Sequence, residues 1–221
     1  MKQTFGFSPK ECKILSRLNT PQKIQDFLDR IDYNLEEEGE TCFSPRKVLR
    51  EKKANCIEGA IFGAAALRFH GYPPLIMDLT SVWDDDHLLA VFKRKGFWGA
   101  IAQSKYTGLR YREPIHRTIR ELALSYFEGY FNFKGEKTLR GYSLPVNMAR
   151  FDKLNWMTSE KDLWFIEDYF NEIPHKKLIT VGMIRNLRRV VPLMKEAGEL
   201  WMIKEGHFKK IESKQKRIEM K

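Results

Sequence analysis

The chain has 221 residues, 43% of them hydrophobic and 13% aromatic, which is enough apolar material for one large domain or a domain with extensions. That excludes a disordered chain, and no apolar run reaches the roughly 18 residues of a membrane span. The formal charge of +10 is spread over Arg46 to Lys53, Lys93 to Lys95, Arg110 to Arg120, Arg185 to Arg189 and the C-terminal end, so a solvated basic surface is favoured over a nucleic-acid face.

The opening residues lack the apolar core of a signal peptide, and Cys12, Cys42 and Cys56 are too few and too scattered for a disulfide framework. The expectation is a soluble cytoplasmic protein with reduced thiols. Ser8-Pro9-Lys10-Glu11 signals a helix start, with serine at the cap and proline in the first turn. Thr20-Pro21 signals a second, whose apolar positions Ile24, Phe27, Leu28 and Ile31 carry a helix to about Tyr33. The acidic run Leu35 to Glu40 reads as an exposed loop. Ser44-Pro45 then starts a short helix to Lys52 or Lys53.

Asn55 caps the next helix, which begins at Cys56 and runs to Phe69. At that position the unpaired N–H groups and the dipole favour a thiolate, whose free thiol has a pKa of about 8.5. The same N–H groups can hold an oxyanion. Gly59, Ala60, Gly63, Ala64, Ala65 and Ala66 make this helix narrow, so it can be approached closely and is expected at the centre of the domain. Each interior glycine costs roughly 1 kcal/mol relative to alanine, an expense that close packing must offset. Three strands follow, at Leu75 to Val82, His87 to Lys93 and Phe97 to Ser104, the last two joined at Lys95-Gly96. A two-residue turn there sets Arg94 opposite Phe97 and His87 opposite Ser104. A longer loop would bring Gln103 to His87 instead.

The order of cysteine at a helix start, then histidine at a strand start, then a further strand resembles the transglutaminase-like superfamily, within the wider papain-like group. The likeness spans roughly Pro45 to Pro114. It implies an α+β fold in which a buried helix carrying the cysteine packs on an antiparallel sheet, with Cys56 as nucleophile and His87 as base. Its third position, an aspartate that orients the imidazole, falls at Ala102, Gln103 or Ser104, where no aspartate stands. Serine or glutamine can hold the ring tautomer but cannot balance its charge. Ser104 is the first choice for that position and Gln103 the second, with Asp84 to Asp86 as other sources of a carboxylate.

Asn55, Trp98, Arg110, Tyr111 and Arg112 are taken as substrate-binding residues, the arginines because a guanidinium pairs with carboxylate or phosphate. Tyr106 and Tyr111 are candidate walls of the cleft. Pro114 to Phe131 has helical spacing, with His116 in its first turn, and Lys134 to Lys137 forms a turn before a strand from Leu139 to Asn147. Ser159 starts an aromatic helix to Phe170, His175 lies in a loop without a role, Lys176 to Leu193 looks helical, and a frayed basic tail begins at Lys204. The division is residues 1–150 as the transglutaminase-like domain, with its core at about 44–148, and 151–221 as a helical extension and tail.

Functionally, a cysteine hydrolase or acyltransferase is expected, acting on a peptide, protein or small amide through a thioester on Cys56. The alternative is a weak or inactive relative that binds a peptide or protein. No cofactor is expected, and no metal, since paired C-x-x-C or H-x-x-x-H spacing is missing. Nucleic acid and membrane are not expected partners.

Overall fold

The structure is a computed structural model, and residues 4–205 are described. Its elements are α1 (Pro9–Arg17), α2 (Pro21–Leu28), β1 (Asp32–Tyr33), α3 (Pro45–Glu51), β2 (Lys53–Ala54), α4 (Cys56–Phe69), β3 (Leu75–Ser81), β4 (His87–Arg94), β5 (Phe97–Ile101), β6 (Arg112–His116), α5 (Ile119–Leu124), β7 (Leu139–Ser143), β8 (Val146–Asn147), α6 (Trp164–Glu172), β9 (His175–Lys177), α7 (Val181–Arg185) and α8 (Pro192–Glu205). Helix and antiparallel sheet together make the fold α+β. The main sheet has the order β6-β5-β4-β3-β7-β9, with β8 also paired to β3, and β1 and β2 form a separate parallel pair. No helix among the described residues is long and apolar enough to cross a membrane.

Helix α4 is buried almost throughout and lies against β4. Its glycines explain how. A Cβ added at Gly63 would sit 2.9 Å from the Cβ of Ala90, and one at Gly59 only 2.4 Å from the Cβ of Gln103. The helix touches the sheet where no side chain fits between them. This face of the sheet, with Ile76, Ala90, Phe92 and Ile101, joins one core cluster with α4 and Phe62. The other face, with Met77, Leu79, Leu89, Val91 and Ala100, packs against Leu122, Ala123, Tyr126 and Tyr130.

The hairpin is the two-residue one: Arg94 faces Phe97 and Ala90 faces Ile101, with Lys95 and Gly96 both at positive φ. Beyond the meander the sequence reading needs correcting. The helix expected from Pro114 is the edge strand β6, where a proline's missing N–H can point outward. Helix α5 starts later, capped by Thr118. Helix α2 ends at Leu28, and Asp32–Tyr33 pair with Lys53–Ala54. The aromatic helix begins at Trp164, and its would-be cap Ser159 instead offers its carbonyl to the Ser44 hydroxyl. The helix expected from Lys176 is divided among β9, α7 and the start of α8. Leu163, Ile166 and Phe170 enter the core and β9 joins the sheet, so residues beyond 150 complete the same architecture. The tail reading falls, from residue 206 on, outside the described residues.

Candidate active site

Cys56 occupies the first position of α4, delivered there by a fixed local arrangement. The Asn55 side chain accepts from the Glu58 N–H, and the Glu58 carboxylate accepts from the Asn55 N–H at 2.8 Å, a reciprocal capping box. Glu58 is fully buried and also accepts from the Asn34 amide at 3.0 Å, the Thr41 hydroxyl at 2.7 Å and the Phe43 N–H at 2.9 Å. Burial raises its carboxyl above the usual range, against the lowering effect of these donors. One carboxylate thus ties residues 34–43 to the start of the cysteine helix. The acidic run is correspondingly less free than expected, because Glu36 accepts from the Asn55 amide and the Thr41 N–H.

His87 begins β4 and is only 3% exposed. Its register partner is Leu79, so its side chain belongs to the face that carries Leu79 and Met77 and not to the face that receives α4. The ring accordingly stands edge-on to Tyr126 and Tyr130. Its Nε2 lies 2.8 Å from the Leu109 carbonyl, which only accepts, so Nε2 carries the proton and Nδ1 keeps a lone pair. Burial, first, and the positive charge of Arg112 lower the imidazole pKa from its ordinary 6.5 to about 4, against the raising effect of the Leu109 bond. His87 is therefore neutral at physiological pH.

At the end of the sheet Cys56 and His87 both line one cleft, with Tyr33, Asp84, Asp85, Asp86, Ser104, Lys105, Tyr106, Leu109, Tyr130 and Phe131. Cys56 is part-exposed there, and Ser104 is buried. Asp84 accepts from the Thr138 hydroxyl at 2.9 Å and is raised to about 7, chiefly by burial, so it can exchange a proton near neutrality. Among the described residues no cluster of histidine, cysteine and carboxylate groups suits a metal ion.

The residues expected to orient His87 or touch substrate divide sharply. Ser104 is in the cleft, but its hydroxyl accepts from the Tyr106 N–H, and the Leu109 carbonyl holds the imidazole instead. Gln103 alternates to the other side, against Gly59, where its amide donates to the Leu28 carbonyl and accepts from the Ser104 N–H. Asn55 caps α4. Trp98 packs under the Lys93 ammonium on β5. Arg110 pairs with Asp29 at 2.7 Å, Tyr111 stacks on Phe92, and the Arg112 guanidinium lies 3.9 Å from the Tyr126 ring centre while bonding to the carbonyls of Gly108 and Ser125. These four are engaged in holding the loop and sheet, outside the cleft lining.

Of the two tyrosines expected as cleft walls, Tyr106 lines the cleft and Tyr111 does not, while Tyr33, Lys105, Tyr130 and Phe131 line it without a sequence signal. Tyr33 lies next to Lys53–Ala54 through a two-residue parallel pairing too short to leave a sequence pattern. His175, read as a loop residue, sits in β9 with its Nε2 2.8 Å from an Asp78 carboxylate oxygen. Compared with known proteins, this chain matches no protein-family model and no curated protein.

Proposed function

We propose that the protein is a cysteine-dependent amide hydrolase or acyltransferase of the transglutaminase-like kind, with Cys56 as nucleophile and His87 as base and acid. The observation that supports this most is that both side chains line one cleft while Nε2 of His87 is committed to the Leu109 carbonyl, which keeps Nδ1 as the proton acceptor. In the reaction the Cys56 thiol proton passes to Nδ1 as Sγ bonds to the substrate carbonyl carbon. The Glu58 and Gly59 N–H groups are already used by Asn55, so the acyl oxygen draws on the N–H groups of Cys56 and Ile57 ahead of them. Collapse breaks the C–N bond, the amine leaves with the proton from the imidazolium, and water or a second amine resolves the thioester. The substrate is a peptide, a protein or a small amide.

A neutral His87 makes this a general-base mechanism and not a resting thiolate–imidazolium pair. A carbonyl cannot balance the imidazolium as a carboxylate would, so turnover is expected to be slow.

The same fact favours a second reading, a binding domain that uses the cleft without chemistry. Alkylation of Cys56 across pH separates the two, with Cys56→Ser subtracting Cys12 and Cys42. Acyl chemistry requires a Cys56 rate that drops at least about tenfold in His87→Ala, together with burst acylation by activated esters. A rate indifferent to His87 and no acyl-enzyme would leave the binding domain.

A further inference from the structure

Asp78, buried, and His175, part-exposed, form a second titratable pair, on the opposite side of the sheet from the His87 ring. Asp78, on β3, is 2% exposed, and one carboxylate oxygen, Oδ2, is 2.8 Å from Nε2 of His175. The other, Oδ1, is buried with no hydrogen-bond partner. The registers explain the meeting. Leu79 faces Tyr142, which sets Asp78 level with Ser143, and Ser143 faces His175, so the row crosses three strands. Ser143 occupies the middle and spends its hydroxyl on the Asp78 N–H at 2.9 Å. Gly141, beside it, has no side chain to keep β9 away, and a Cβ there would meet the Lys176 carbonyl at 3.1 Å.

The Ile173 backbone is a further and smaller influence that raises the His175 ring, after the Asp78 hydrogen bond. With a carboxylate as its hydrogen-bond partner, the ring's protonated form is favoured. Asp86, just before β4, is the other charged group acting on both members, and the Tyr130 hydroxyl feels Asp78 and Asp86 from the far side. On β9 itself Lys176 and Lys177 are exposed.

We propose that the Asp78–His175 pair is a proton-operated clamp that fastens β9, and the chain following it, to the sheet. Without the imidazolium, Asp78 is left as a buried carboxylate lacking its one charged donor. The hydrogen bond to the Asp78 carboxylate raises the His175 pKa, so the folded state holds the imidazolium to higher pH, while burial raises the Asp78 carboxyl from its ordinary 3.8 and works against the pair. A raised folded pKa contributes stability that is complete below the free value, about 6.5 for histidine, and is lost as pH rises through the folded one.

The test is amide hydrogen exchange of Lys176 to Leu178 by NMR from about pH 6 to 9, corrected for intrinsic rates, with β4 amides as reference. Protection of β9 is expected to fall about tenfold for each unit by which the His175 pKa exceeds its free value, while β4 stays constant. In His175→Gln the β9 protection is expected to lose its pH dependence. Flat protection in the wild type, a dependence that survives in His175→Gln, or parallel loss in β4 would each overturn the clamp. Should His175→Gln not fold, NMR titration of His175 in the wild type decides: a midpoint above the ordinary value and matching β9 release supports the clamp, and a midpoint at or below it overturns it.

Discussion

Two histidines in one sheet have opposite surroundings. His87 is buried at the start of β4, donates to a neutral carbonyl, and is pushed down to about 4. His175 is part-exposed on β9, donates to a carboxylate, and is raised. Both make a 2.8 Å contact through Nε2, so hydrogen-bond length does not separate them. The partner's charge and the depth of burial do. A buried imidazole bonded to a carbonyl is driven toward its neutral form, and one bonded to a buried carboxylate toward its protonated form.

The contrast gives stability a maximum, and the acid side is its largest test. For His87 the folded pKa lies below the free value, so the unfolded chain binds the proton first and stability falls as pH drops from about 6.5 to 4. The span corresponds to an order-of-magnitude loss of about 3 kcal/mol, from 1.36 kcal/mol per unit. Urea melts at pH 7 and 4.5 are expected to show this slope in the wild type and a shallower one in His87→Gln; equal slopes would mean that His87 is not the group responsible.

Next in size, Ser104→Asp puts a carboxylate in the cleft that His87 lines and is expected to raise its pKa by roughly one to three units, read from imidazole NMR shifts. Cys56 alkylation should quicken in parallel, and no movement of the His87 midpoint would break the comparison. Asp78→Asn tests it from the other side, by taking the charge from the His175 partner. The His175 midpoint should fall to its free value of about 6.5 or below and the loss of stability above neutral pH should flatten, an effect moderated by the ring's partial exposure. The smallest change is expected in Arg112→Gln, which removes the cation acting on His87 and should raise its midpoint by less than about one unit. A downward shift would reverse the role assigned to Arg112.

Much of the framework was legible because its causes are local. Ser8, Thr20, Ser44 and Asn55 each accept from the backbone N–H three residues on, a contact that residue type and spacing announce. Lys95-Gly96 marked the hairpin turn, whose two-residue length the structure supplies, and Gly59 and Gly63 signalled the close approach of α4. The strand at Pro114 was misread because helical spacing over Ile115, Ile119 and Leu122 outweighed a proline that an edge strand tolerates.

By itself, then, the sequence determined the α+β character, the capped helix that begins at Cys56, and a hairpin turning at Lys95-Gly96. Only the tertiary structure decided which face of the sheet His87 occupies, that Leu109 and not Ser104 or Gln103 holds its ring, and that His175 meets Asp78. Caps and turns are closed by groups a few residues apart, whose chemistry is written in adjacent letters. The Leu109 carbonyl lies 22 residues from His87 and Asp78 lies 97 from His175. A carbonyl is common to every residue, and a histidine's partner across three strands is set by registers that accumulate along the sheet, so neither leaves a local mark.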